Sequence, residues 1–88
     1  MKFQFDPAKA KSNLQKHKIS FADAEGVFYD PLAIHSEDPN SEDEERFIAV
    51  GLGSAGQILV VVYTFRGEEI RLISVRRATS REVKEYES

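Results

Sequence analysis

The stretch that decides the fold is Gln57–Arg77, QILVVVYTFRGEEIRLISVRR. It is two apolar runs joined by Arg66-Gly67-Glu68-Glu69. In the first run, Ile58–Phe65, nearly every side chain is β-branched or aromatic. Such side chains suit a pleated surface and crowd a helix. The run is apolar on both faces, which predicts a central strand covered on both sides. In the second run, strict alternation puts Ile70, Leu72, Ser74 and Arg76 on one face and Arg71, Ile73, Val75 and Arg77 on the other. The hairpin is mostly apolar yet carries Arg66, Arg71, Arg76 and Arg77. An unpaired guanidinium is too costly in a core, so these four pair with carboxylates, emerge at strand ends or await an anionic ligand.

Working outward, Arg46–Leu52 reads as the preceding strand and Gly53-Ser54-Ala55-Gly56 as a turn. Gly51, Gly53 and Gly56 match G-x-G-x-x-G, but they join two strands and open no helix, so the match is a hairpin turn and not a phosphate loop. Leu32–His35 is a short strand, and Ser36–Glu45 a polar acidic loop. Asp6-Pro7 starts a helix that runs to about Gln15–His17, with Asp6 as cap and proline in the first position. Asn13 and His17 share one of its faces. Ser20 with Asp23 opens a second helix with a core stripe of Phe21, Ala24, Val27 and Phe28, ended by Asp30-Pro31. Lys2–Phe5 is an extended arm or an edge strand. Thr79 and Glu82 form a capping box for a last helix over residues 80–87. The predicted fold class is α+β: two N-terminal helices, a four-stranded antiparallel meander and one C-terminal helix, in a single domain spanning 1–88. The sheet should bury one face against the N-terminal helices.

The chain has 88 residues, no cysteine and a net charge of −3. Disulfides and thiolate metal sites are therefore absent. No apolar run is long enough to span a membrane, and the N-terminus lacks a signal-peptide pattern, so a cytoplasmic protein is expected. Charge is segregated: +4 over residues 1–20, −9 over 21–45, +3 over 46–77 and −1 over 78–88. The acidic total argues against strong non-specific nucleic-acid binding, although the two basic segments could meet on one face.

No metal-ligand spacing, nucleophile elbow or phosphate loop is present. What remains is Arg-rich and calls for an anion. Arg46, Arg66, Arg71, Arg76 and Arg77 can each clamp phosphate, and Lys9, Lys16, His17 and Lys18 lie on or just after the first helix. A metal-free ribonuclease needs little more: an acceptor for the 2′-hydroxyl proton, a donor for the leaving oxygen and cations for the growing charge. His17 suits proton transfer and equally suits a helix C-terminus, where imidazolium meets the last carbonyls. His35 reads as a half-buried strand residue. Any one arginine is expected to pair with Glu68, Glu69, Glu45 or the last helix.

The residues together resemble a known family, the BrnT-type toxins of bacterial type II toxin–antitoxin systems. The matching segments are Phe5-Asp6 with Lys9, Asn13 and Lys16-His17; Ser20-Phe21 with Ala24 and Val27-Phe28; Asp30-Pro31; Glu45-Arg46 followed by Gly51; Leu59–Tyr63; Arg66-Gly67; Ile70–Thr79; and Arg81-Glu82 with Tyr86. The combination of K-H near residue 17, D-P near 30, E-R near 45 and R-x-I-S-x-R-x-A-T near 75 carries the resemblance over nearly the whole chain. It implies a fold similar to the RelE-like microbial ribonucleases. It implies RNA cleavage without metal or cofactor that inhibits translation and growth. It also implies a ribbon-helix-helix, BrnA-like antitoxin that neutralises the toxin; promoter DNA is reached only through that complex. The alternative is a catalytically inactive relative that binds antitoxin in promoter autoregulation. A stand-alone nucleic-acid-binding domain fits the acidic balance least.

On the matching positions, the catalytic candidates are His17 as general acid or base, Glu45 as second proton acceptor or orienter, and Arg46, Arg66, Arg71 and Arg76 as phosphate and transition-state binders. Lys9, Lys16, Tyr63 and Arg77 are RNA-binding candidates, and no residue is assigned to a metal. Two departures stand out. Lys18 occupies a position where the family commonly has glycine, which suits a left-handed helix end. The acidic stretch Glu37–Glu45 either folds away from the active face or docks against a basic antitoxin.

Overall fold

A computed structural model of the chain describes residues 1–88. Its elements are β1 (Phe3–Gln4), α1 (Pro7–His17), α2 (Phe21–Glu25) continued by a 3₁₀ turn (Gly26–Tyr29), β2 (Ile34–Glu37), β3 (Phe47–Leu52), β4 (Ile58–Arg66), β5 (Glu69–Arg77) and α3 (Ser80–Glu87). The strands form one sheet in the order β1-β5-β4-β3-β2. The antiparallel meander β2–β5 is as expected, with β4 at its centre. The expected four-stranded sheet is corrected to five. The N-terminal arm pairs parallel to β5, with Phe3 opposite Ile70 and Gln4 opposite Arg71. A two-residue parallel pairing across the whole chain leaves no local pattern to read.

The caps behave as their sequences dictate. The Asp6 side chain accepts from the Ala8 amide and Pro7 fills the first helical position. Ser20 caps α2, and Thr79 with Glu82 closes a capping box on α3. Lys18 ends α1 in the left-handed region at φ 62°, with its amide donating to Leu14. The helix end thus keeps the geometry that glycine would suit, and lysine bears the strain. Gly26 is required by close packing: a Cβ there would lie 2.4 Å from the Ser54 amide nitrogen.

The core lies between one sheet face and the N-terminal helices. Ile19, Phe21, Ala24 and Val27 pack on Ala49, Leu59, Val61, Tyr63, Ile70, Leu72 and Val75. The phase of β5 departs from strict alternation. Val62 pairs with Ser74 but Tyr63 pairs with Leu72, which leaves Ile73 as a β-bulge. Ile70, Leu72 and Val75 therefore share the core face, and Arg71, Ser74 and Arg76 share the opposite, open face. Strict alternation had placed Arg71 and Val75 together, away from Leu72 and Arg76. Packing overrides it because Val75 is 0 % exposed in the core, where unbulged pairing would have put Ser74 and then Arg76.

The open face is partly covered. Val60 pairs with Arg76, whose side chain reaches Glu82 of α3, and Val60 is buried. Asp30 anchors the far end of that helix by accepting from the Tyr86 hydroxyl, and it also accepts from the Leu52 amide at 2.8 Å. These bonds hold the Asp30 carboxyl below its usual pKa. No helix is long and apolar enough to cross a membrane.

Candidate active site

Along the outer edge of β5, α1 stands beside the strand and leaves a shallow groove of about 200 Å³. Lys9, Ser12, Asn13, Lys16 and His17 line it from the helix, and Ile73 and Ser74 from the bulge. The helix residues recur at three- and four-residue spacing, which stacks them on one face.

Asn13 sets the distance between helix and strand. Its Nδ2 donates to the Val75 carbonyl at 2.9 Å and to the Ile19 carbonyl at 3.2 Å, and its Oδ1 accepts from the Val75 amide at 3.0 Å. One side-chain amide thereby replaces the strand that β5 lacks beyond β1, and Asn13 is only 7 % exposed. Buried backbone groups must be paired, so this contact also fixes where Lys9, Lys16 and His17 stand. His17 is half-buried. Two lysines, an imidazole and the hydroxyls of Ser12 and Ser74 face the space, and no carboxylate lines it. Such a lining favours a phosphate and provides a proton-transfer group beside it.

Four of the arginines, Arg46, Arg66, Arg71 and Arg76, share a face without converging on the groove. Arg71 is half-buried and donates from Nη1 to Gln4 Oε1 at 2.9 Å. Arg66, at the hairpin end of that face, pairs with Glu44 at 3.1 Å. Arg76 grips Glu82 through two bonds of 2.8 and 2.9 Å. That grip, with the Thr79 amide, lowers the Glu82 pKa to about 2, and it raises that of Arg76. Arg46 precedes Phe47, whose ring stacks on Tyr63 on the core side, so alternation turns Arg46 to the open face. It lines a second recess with Asn40, Glu42, Asp43 and Glu44. Arg77 is exposed, on the other face, and bonded to Gln57.

Three placements differ from the sequence-based expectation. Tyr63, expected on an RNA-binding surface, is 5 % exposed in the core among Phe28, Phe47 and Phe65, with its hydroxyl 2.8 Å from His35 Nδ1. Burial pushes its pKa up. Its run was apolar on both faces, so nothing local showed which way the ring turned. Glu45, expected as second proton acceptor or orienter beside His17, lies two residues before β3, its carbonyl accepting from Thr64 Oγ1 at 2.7 Å. Two strand spacings separate β3 from β5, about 10 Å, so the pair does not form. His35 is exposed rather than half-buried. The structure thus brings Lys9, Lys16 and His17 together, holds Arg46, Arg66, Arg71 and Arg76 on one neighbouring face, and sets Tyr63, Arg77 and Glu45 apart. The sequence reading did not single out Ser12 and Ser74 as groove residues. Ser12 was legible four residues before Lys16; Ser74 depends on the bulge.

The mixed sheet thus carries a basic, carboxylate-free groove at its β5 edge. The chain belongs to the BrnT family: residues 5–82 match the model described as "Ribonuclease toxin, BrnT, of type II toxin-antitoxin system". Among solved structures it is similar to the crystal structure of the Brucella abortus ribonuclease toxin, BrnT, with a TM-score of 0.67 and 29 % identity over 91 % of this chain and 99 % of that one. No curated protein matches the sequence.

Proposed function

We propose that this BrnT-family chain is a RelE-like endoribonuclease toxin that cleaves RNA without a metal ion, and that the groove between α1 and β5 is its active site. The observation that carries this reading is the lining: Lys9, Lys16 and His17 beside Ser74, with no carboxylate. A backbone phosphate enters against the two ammonium groups. The ribose 2′-oxygen attacks the adjacent phosphorus as its proton leaves, and the bond from phosphorus to the 5′-oxygen breaks as that oxygen gains a proton. His17 carries one of these two transfers, and Lys9 and Lys16 hold the charge that grows on the phosphoryl oxygens. Arg71, one step along the open face, exchanges its bond to Gln4 for a neighbouring phosphate. A ribbon-helix-helix, BrnA-like antitoxin neutralises the toxin in the cytoplasm and carries the complex to promoter DNA.

The test is RNA cleavage by the purified chain in excess chelator, beside a folded His17→Ala variant. Cleavage in chelator, reduced at least about 100-fold in the variant, is expected. A folded variant that cleaves at the wild-type rate removes His17 from the chemistry. Arg66 and Arg76 are both held in ion pairs, which is what an inactive, antitoxin-binding relative would display; a wild-type chain that leaves RNA intact favours that second reading.

A further inference from the structure

β2 has β3 on one side and no strand on the other, and all four of its residues, Ile34–Glu37, are exposed. The Asp38 amide donates to the Arg46 carbonyl at 2.8 Å. In an antiparallel ladder alternate residues turn their amide and carbonyl toward the partner strand. Asp38, Ser36 and Ile34 therefore face β3, while His35 and Glu37 direct N–H and C=O groups off the sheet. Such an edge is a template for another strand. Beside it Ile34 is 45 % exposed and Leu32 70 %.

Charge indicates what the edge accepts. Residues 37–45 hold six carboxylates and no lysine or arginine, and of these Glu44 alone is in an ion pair. A second copy of the chain would bring the same acidic stretch to the same edge, with like charges meeting within a Debye length. A basic strand finds complementary charge. We propose that an extended, basic segment of the antitoxin adds to the sheet as a sixth strand along His35 and Glu37, its cationic side chains over the 37–45 carboxylates and its apolar ones over Ile34. This rests on the toxin–antitoxin reading above and adds where the partner docks. The edge lies four strand spacings from β1, about 19 Å, so the contact anchors the partner without filling the cationic groove.

The probe is the product of the gene adjoining this one, bound to the full chain. Amide exchange at His35 and Glu37 should slow at least about tenfold in the complex, as new backbone hydrogen bonds form. Glu37→Pro removes an outward N–H without breaking a bond to β3; it should weaken binding about tenfold and leave RNA cleavage intact, giving a toxin that needs about tenfold more partner to be neutralised. Unprotected amides in the wild-type complex, or a folded Glu37→Pro chain bound as tightly as wild type, would overturn the docking site. The amide arm decides even where the proline variant fails to fold. A homodimer that Glu37→Pro dissolves would assign the edge to a second copy instead. Failure of the wild-type chain to bind that product at all would count against the toxin–antitoxin reading itself, a separate result.

Discussion

The two edges of the sheet are finished in opposite ways. At the β5 edge, β1 covers Ile70 and Arg71, the Ile70 amide donates to Lys2, and Asn13 closes Val75. At the β2 edge the amides and carbonyls of His35 and Glu37 meet solvent, beside exposed apolar side chains and an acidic loop. The sealed edge carries the cationic groove, and the active site proposed there needs side chains held at fixed distances. The unsealed edge carries the opposite charge and unspent hydrogen-bonding capacity. The segregated charge of the sequence thus becomes a spatial division, with basic α1 along one margin and the acidic loop along the other.

The sharpest way to break this contrast is to unseal the closed edge. Asn13→Ala leaves the Val75 amide and carbonyl and the Ile19 carbonyl short of partners. We expect a loss of about 2–4 kcal/mol in denaturant unfolding, with faster amide exchange at Val75. An unchanged unfolding midpoint would show that water replaces the side chain and that the edge is not sealed by Asn13. A smaller change of opposite sign comes at the end of α1. Lys18→Gly relieves the left-handed residue and should stabilise the chain by about 0.5–1 kcal/mol, read as a higher melting temperature; a fall would mean that the lysine side chain makes a compensating contact.

The smallest effect concerns the ties of α3, which belong to neither edge. The folded-state pKa of Glu82 is about 2, below its ordinary value near 4.5, and that of Asp30 is likewise lowered. A carboxylate depressed by folding stabilises the fold fully above its unfolded pKa. That contribution declines as pH falls through 4 toward the folded value. Melting temperature should therefore drop between pH 5 and pH 3, and drop less in Glu82→Gln. Parallel declines in the two proteins would show that the Arg76 pair contributes nothing, as exposed pairs often do.

Much of the fold was legible because its signals are local. Asp6-Pro7, Ser20 with Asp23 and Thr79 with Glu82 each announce a helix start through one side chain and one nearby amide. The apolar run Ile58–Phe65 announces a central strand by composition. Pairings distant in sequence were not legible. Phe3 and Gln4 gain a partner only after β5 is in place, and Asn13 looks like any polar helix residue until it meets Val75, 62 positions away. In the candidate site, Lys9, Lys16 and His17 were singled out on or at the end of the first helix, a placement that needs no tertiary information, and they line one groove. Tyr63 was misplaced because its run is apolar on both sides. Glu45 was misplaced because a carboxylate next to an arginine in sequence says nothing about which strand spacing separates it from a histidine.

The bulge at Ile73 makes β5 unequal to its neighbours in the changes of length it can absorb. β4 counts by twos from Leu59 to Arg66 without interruption, whereas β5 changes parity once, between Leu72 and Ser74. Deleting Ile73 would take out the unpaired residue and leave a regular strand, with Leu72 and Val75 still facing the core and Ser74 and Arg76 still on the open face. Deleting one residue from the middle of β4 has no such outlet, and every position beyond the cut would exchange inside for outside. Homologues should therefore lose a residue at the bulge more readily than anywhere within β4.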